Sequence, residues 1–236
     1  MPDNIKPLTS VFIALLKSKR GWGFLTINLA QLALYALISS YSAQANDQLA
    51  EKVGPGRADS GKELSDSERC QECHGSDGIS HDVNVPNHAG QNAGYLIKQL
   101  KDFQSGDRIH DTMNRMAEDL SETDRVDIAA YFAGQPVMQG TGSTSKSYVR
   151  NLFENGNPDR QLKPCTECHG PNGKGMLHDG MEVPVIGGQK RAYLRRQLAN
   201  WKSGERQNSP DGLMNKIAHL LTDQEIEDLA DYISGL

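Results

Sequence analysis

Apolar residues return at helical spacing, in the same order, twice along this chain. Behind Ser121 they fall at Val126, Ala129, Ala130 and Phe132, and behind Thr222 at Ile226, Leu229, Ala230 and Ile233, the spacing of a helix with one buried face. A hydroxyl followed three residues later by a carboxylate precedes each run, Ser121 with Asp124 and Thr222 with Glu225, which predicts a capping box at both helix starts. Tyr95 to Phe103 and Tyr193 to Trp201 predict a second amphipathic helix per copy. Tyr148 to Phe153, ending near Gly156, predicts an opening helix in the second copy, with Ser60 to Leu64 a weaker equivalent in the first. Alternating strand patterns are hard to find anywhere, so the predicted fold is all-α.

The two copies align over most of their length. Val85-Pro86-Asn87-His88-Ala89-Gly90-Gln91 falls on Val183-Pro184-Val185-Ile186-Gly187-Gly188-Gln189, and Tyr95-Leu96-Ile97-Lys98-Gln99-Leu100 on Tyr193-Leu194-Arg195-Arg196-Gln197-Leu198. Ser105-Gly106-Asp107-Arg108 meets Ser203-Gly204-Glu205-Arg206, and Met113-Asn114-Arg115-Met116-Ala117 meets Met214-Asn215-Lys216-Ile217-Ala218. This organisation predicts one domain over 46–133, a linker over 134–145 whose Gln-Pro and Gly-Thr-Gly-Ser content suits a connection, and a second domain over 146–236. Domains this small have thin cores of their own.

Ahead of the repeat, Lys6, Lys17, Lys19 and Arg20 flank a charge-free stretch from Gly21 to Asn46 that ends in small residues. This predicts a secretory signal peptide over 1–45, cleaved after Ala45. The alternative is an uncleaved anchor, since Gly21 to Ser40 matches the roughly twenty residues of a membrane span. Either way the remainder is expected in the periplasm, tethered to the membrane if the segment stays. The whole chain carries 25 basic and 30 acidic residues, and loss of 1–45 leaves 21 against 29, a balance that argues against nucleic acid as a partner. The excess is uneven: residues 46–140 hold 17 acidic and 9 basic side chains, residues 141–236 hold 12 of each. Lys190, Arg191, Arg195 and Arg196 cluster on one predicted helix, as a docking patch or as an ordinary solvated face.

All four cysteines sit in two pentapeptides, Cys70-Gln71-Glu72-Cys73-His74 and Cys165-Thr166-Glu167-Cys168-His169. Cys-x-x-Cys-His is the attachment signature of c-type haem, two thiols bonding the porphyrin while the adjacent His ligates iron. A four-cysteine zinc site would place its pairs about 15–20 residues apart, and a redox dithiol would use one pair beside a βαβ pattern. The expected cofactors are therefore two covalently bound haem c groups, attached through Cys70, Cys73, Cys165 and Cys168, with His74 and His169 as axial ligands. For the opposite axial position, Met113 and Met214 are the methionines that occupy equivalent places in the repeat. Met116 has Ile217 opposite it, and Met138, Met176 and Met181 have no counterpart. His88 stands where the second copy has Ile186, a polar group at an apolar position.

These motifs, with the Pro-x-x-x-Gly-Gln loops at Pro86 and Pro184, the Tyr-Leu-x-x-Gln-Leu helices and the Leu152-Phe153 opening helix, resemble the dihaem cytochromes c4. The resemblance spans essentially the chain after residue 45 and implies tandem class I cytochrome c domains. It implies that the carbonyls of Pro86 and Pro184 accept hydrogen bonds from His74 and His169, and that the haems lie near the domain interface. It further implies a monomeric electron carrier, not an enzyme, serving a membrane donor complex and a terminal oxidase or reductase and meeting the membrane surface through those complexes. Two other functions stay open: the dihaem subunit of a flavocytochrome-type dehydrogenase, and a dihaem peroxidase, which would need one displaceable axial ligand.

Overall fold

Ten α-helices form along the residues that the computed structural model describes, 56–142 and 147–236. The predicted signal segment over 1–45 and the linker positions 143–145 lie outside them. In the first half these are α1 (Ala58–Ser67), α2 (Cys70–His74), α3 (Ala93–Ser105), α4 (Asp111–Ala117) and α5 (Glu122–Ala133); in the second, α6 (Ser147–Asn155), α7 (Cys165–His169), α8 (Arg191–Ser203), α9 (Leu213–His219) and α10 (Asp223–Ser234). Among the described residues no helix is long and apolar enough to cross a membrane.

Both capping boxes form. Ser121 Oγ accepts from the Asp124 N–H and Asp124 returns a bond from the Ser121 N–H; Thr222 and Glu225 do the same. These reciprocal bonds satisfy amides that a helix start otherwise leaves unpaired. α3 and α8 end alike, on Gly106 and Gly204 at φ 83° in both, the left-handed stop that glycine adopts without steric cost. Each half then buries its own small core. Leu96, Phe103, Leu120, Ile128 and Phe132 fill the first, and Val149, Leu152, Phe153, Leu194, Leu229 and Ile233 the second.

The weak pattern over α1 has a steric reason. A Cβ on Gly61 would stand 1.9 Å from the carbonyl oxygen of Asp127 on α5, so the glycine that lowers the helical signal is what lets α1 and α5 cross closely. The absence of strands does not hold throughout: β1 (Met176–His178) pairs antiparallel with β2 (Met181–Val183). This hairpin lies where the second copy is longer than the first, and the other half grips it, through Asn92 Nδ2 to the Val183 carbonyl at 2.5 Å and the Gly94 N–H to Glu182 Oε2 at 2.5 Å.

The connecting stretch is irregular but tied down on both sides. Met138 is fully buried, its N–H donates to the Ala89 carbonyl, and the Gly140 N–H donates to the carbonyl of Leu236 at 2.6 Å.

Candidate haem-binding sites

Each Cys-x-x-Cys-His pentapeptide folds as a short helix, α2 or α7, ending on a left-handed glycine, Gly75 at φ 80° or Gly170 at φ 73°. His74 is buried, and its Nδ1 lies 2.9 Å from the carbonyl oxygen of Pro86; His169 Nδ1 lies 3.0 Å from that of Pro184. A carbonyl only accepts, so Nδ1 carries the proton in both and Nε2 keeps the lone pair a metal needs. Burial pushes both imidazoles below their ordinary pKa, with the proline carbonyl working against it, which favours the neutral form.

The thiols behave unlike a redox dithiol. Burial pushes Cys165 up to about 11 and raises Cys70 and Cys168, whereas a nucleophilic pair needs a lowered pKa. No cluster of three or more His, Cys, Asp or Glu side chains that could hold a metal ion by themselves occurs among the described residues. The donor set therefore suits a group that brings its own metal and presents carbons for thioether bonds.

Met113 and Met214 stand on α4 and α9, half-buried, with Met113 packed against the first core. Asparagines that follow them fix these helices in place. Asn114 Nδ2 donates to the carbonyls of Phe103 (2.6 Å) and Arg108 (3.0 Å), and Asn215 Nδ2 to those of Trp201 and Arg206, both at 2.8 Å. Both Asn residues occupy one repeat position, a signal the sequence carried but that ligand chemistry did not single out.

His88 lies against His74, ring centroids 4.0 Å apart and planes 25° from parallel, and meets Phe132 edge-on. Burial, then the neighbouring His74 and Arg108, hold its pKa well below the ordinary imidazole value. In the second half Ile186 fills the matching place against the apolar core. The two sites thus share the histidine to proline-carbonyl bond and differ in what packs beside the histidine.

Between the halves, one hydrogen-bond pattern occurs twice with the halves exchanged. Arg108 donates to Gln99 of its own half (2.7 Å) and to Tyr193 and Gln197 of the other (both 3.0 Å). Arg206 donates to Gln197 of its own half (2.6 Å) and to Tyr95 (3.3 Å) and Gln99 (3.0 Å) of the other. Each guanidinium also covers an aromatic ring, Phe103 or Trp201. Neither guanidinium bonds a carboxylate directly among the described residues; Arg108 is half-buried with Asp102 near it, and Arg206 is buried among amide and phenol oxygens. The Arg191 and Arg195 part of the predicted docking patch is, by contrast, already paired, with Glu227 and Asp231 of α10.

A family model for cytochrome c matches residues 58–135 and 153–236. Cytochrome c4 of Pseudomonas aeruginosa is 37% identical over 169 residues, 71% of this chain and 83% of that protein. A thiosulfate dehydrogenase electron acceptor of Stutzerimonas stutzeri is 34% identical over 172 residues, 71% of this chain and 78% of the relative. The crystal structure of reduced recombinant cytochrome c4 from Pseudomonas stutzeri superposes with a TM-score of 0.68 at 36% identity, covering 77% of this chain and 99% of that one.

Proposed function

This chain belongs to the cytochrome c4 family of dihaem electron carriers, and on that premise we propose that it accepts electrons from a membrane-bound or periplasmic donor and passes them singly to a terminal oxidase or reductase. It acts as carrier and not as enzyme, in the periplasm. The observation that supports this reading is the ligand geometry, present twice: a histidine on α2 or α7 with its Nδ1 proton committed to a proline carbonyl, and a methionine on α4 or α9.

In this reading Cys70 and Cys73, and Cys165 and Cys168, hold the two haems covalently. His74 and His169 would ligate through Nε2, with Pro86 and Pro184 orienting the rings and raising their basicity. Met113 and Met214 would supply the second ligand to each iron, which would leave substrate and oxygen no place to bind. Arg108 and Arg206, neither directly bonded to a protein carboxylate among the described residues, would suit the haem propionates. When bound, each haem supplies a one-electron ferric–ferrous couple.

The thiosulfate dehydrogenase electron acceptor among the relatives supports a second reading, in which the chain serves as the haem partner of a dehydrogenase. A reductive titration tests the main one. The isolated chain takes up two electrons, exchanges them with a small redox mediator and turns over neither peroxide nor reduced sulfur compounds. Turnover by the purified chain alone would overturn it.

A further inference from the structure

Gln91 and Gln189 occupy one repeat position, just ahead of α3 and α8, and both are buried. Each reaches into the other half. Gln189 Oε1 accepts from the Asn87 N–H at 2.8 Å while its Nε2 donates to the Asn87 carbonyl at 2.9 Å. Gln91 Oε1 accepts from the Val185 N–H at 2.7 Å while its Nε2 donates to the Val185 carbonyl at 2.8 Å. The side-chain amide thus pairs with backbone as a strand neighbour would, once in each direction.

Asn87 and Val185 are the residues after Pro86 and Pro184. The N–H of Asn87 and the C=O of Pro86 belong to one peptide group, and that group is bonded at both ends, its N–H to Gln189 and its C=O to His74 Nδ1. The group joining Pro184 to Val185 is bonded in the same way by Gln91 and His169. Hydrogen bonds in series through a peptide polarise one another, so donation to the glutamine makes the proline oxygen a stronger acceptor. A stronger bond at Nδ1 raises the basicity of the imidazole.

We propose that each glutamine is a positioning residue for the haem of the opposite half: Gln189 sets the proximal histidine of the first site, and Gln91 that of the second. The relay orients each ring and holds its haem's potential down, because a more basic imidazole favours the ferric state. Gln189 Oε1 is itself steadied by the Lys190 N–H at 2.9 Å, and Gln91 Oε1 by the Asn92 N–H at 3.0 Å, so the glutamine rotamers are fixed from within their own halves. This inference rests on His74 and His169 being iron ligands.

The test uses the holoprotein and its variants Gln189→Met and Gln91→Met, which keep side-chain length and lose both polar atoms. Haem methyl resonances, assigned to each half through contacts with Met113 or Met214, are followed by NMR through a redox titration. The expected pattern is crossed: Gln189→Met raises the potential of the first-half haem more than that of the second, and Gln91→Met does the reverse. Shifts in the variant's own half, equal shifts in both, or none would overturn the proposal. Where a methionine variant loads fewer than two haems, Gln189→Glu or Gln91→Glu keeps an acceptor for the peptide N–H; it lowers the opposite haem's potential, and a shift in its own haem would overturn the proposal equally. The wild-type spectrum separates the two failures, since loss of the axial-ligand reading is visible there before any variant is made.

Discussion

Replacing Gly61 with alanine tests the packing that closes the first domain. A Cβ there would lie 1.9 Å from the Asp127 carbonyl oxygen, 2.4 Å from its carbon and 3.0 Å from the Ile128 nitrogen, where ordinary contact begins near 3.4 Å. The obstacle is helix backbone, so α1 and α5 must part by about 1.5 Å, enough to forfeit a large share of the dispersion energy along the crossing. Overpacking of this kind costs about 1–3 kcal/mol. Separation also breaks the 2.8 Å bond from the Arg57 N–H to the buried Asp127 carboxylate, adding about 1 kcal/mol. Alanine's better helix propensity returns about 1 kcal/mol, leaving a net loss of about 1–3 kcal/mol. Chemical denaturation of the holoprotein followed by circular dichroism reads this directly. The control is Gly134→Ala, whose nearest neighbour would be the Ala130 carbonyl oxygen at 3.3 Å and whose φ is −75°. A Gly61→Ala protein as stable as that control would refute the reasoning.

Acid should weaken the second half through Glu225. Glu225 has its carboxyl lowered by the hydrogen bond from Arg160 and by burial-opposed bonds at the Thr222 cap; a depressed folded pKa means stability that is present above the ordinary carboxylate range and lost as pH falls below it. Arg160→Met should flatten that acid limb in a pH series of denaturation midpoints, and an unchanged limb would contradict the assignment. His88→Ile gives the first site the residue that the second has, so the gap between the two haem potentials should narrow in a redox titration; a gap of the same size would remove His88 as a source of the asymmetry. Reversing Arg195, already ion-paired on an exposed surface with Glu227, should change stability by about 1 kcal/mol or less, read as a midpoint shift in the same denaturation assay, and a larger loss would mean the pair matters more than its exposure suggests.

What could be read ahead of the structure was local or repeated. Capping boxes at Ser121 and Thr222 involve side chains three residues apart, and the pentapeptides carry their chemistry within five positions. Met113 and Met214 stood out because they hold one place in both copies of a duplicated chain. What escaped was long-range. The hairpin at 176–183 is short, has exposed Met176, Leu177 and Met181, and owes its place to Asn92 and Gly94 of the other half. The charge of Arg191 and Arg195 looked available until α10 brought Glu227 and Asp231 against it. The exchange of Gln91 and Gln189 depends on how two copies face one another, which no single window of sequence contains, although their shared repeat position was visible.

In the proposed carrier both irons are closed by a histidine and a methionine. The ferric holoprotein, examined by electron paramagnetic resonance and by NMR of the methionine methyl groups in the reduced state, tests it in one preparation. Two low-spin centres and two ligated methionine side chains are expected, the latter lost one at a time in Met113→Ala and Met214→Ala. A high-spin centre in the wild-type protein, or a ligated methionine that survives both substitutions, would contradict it.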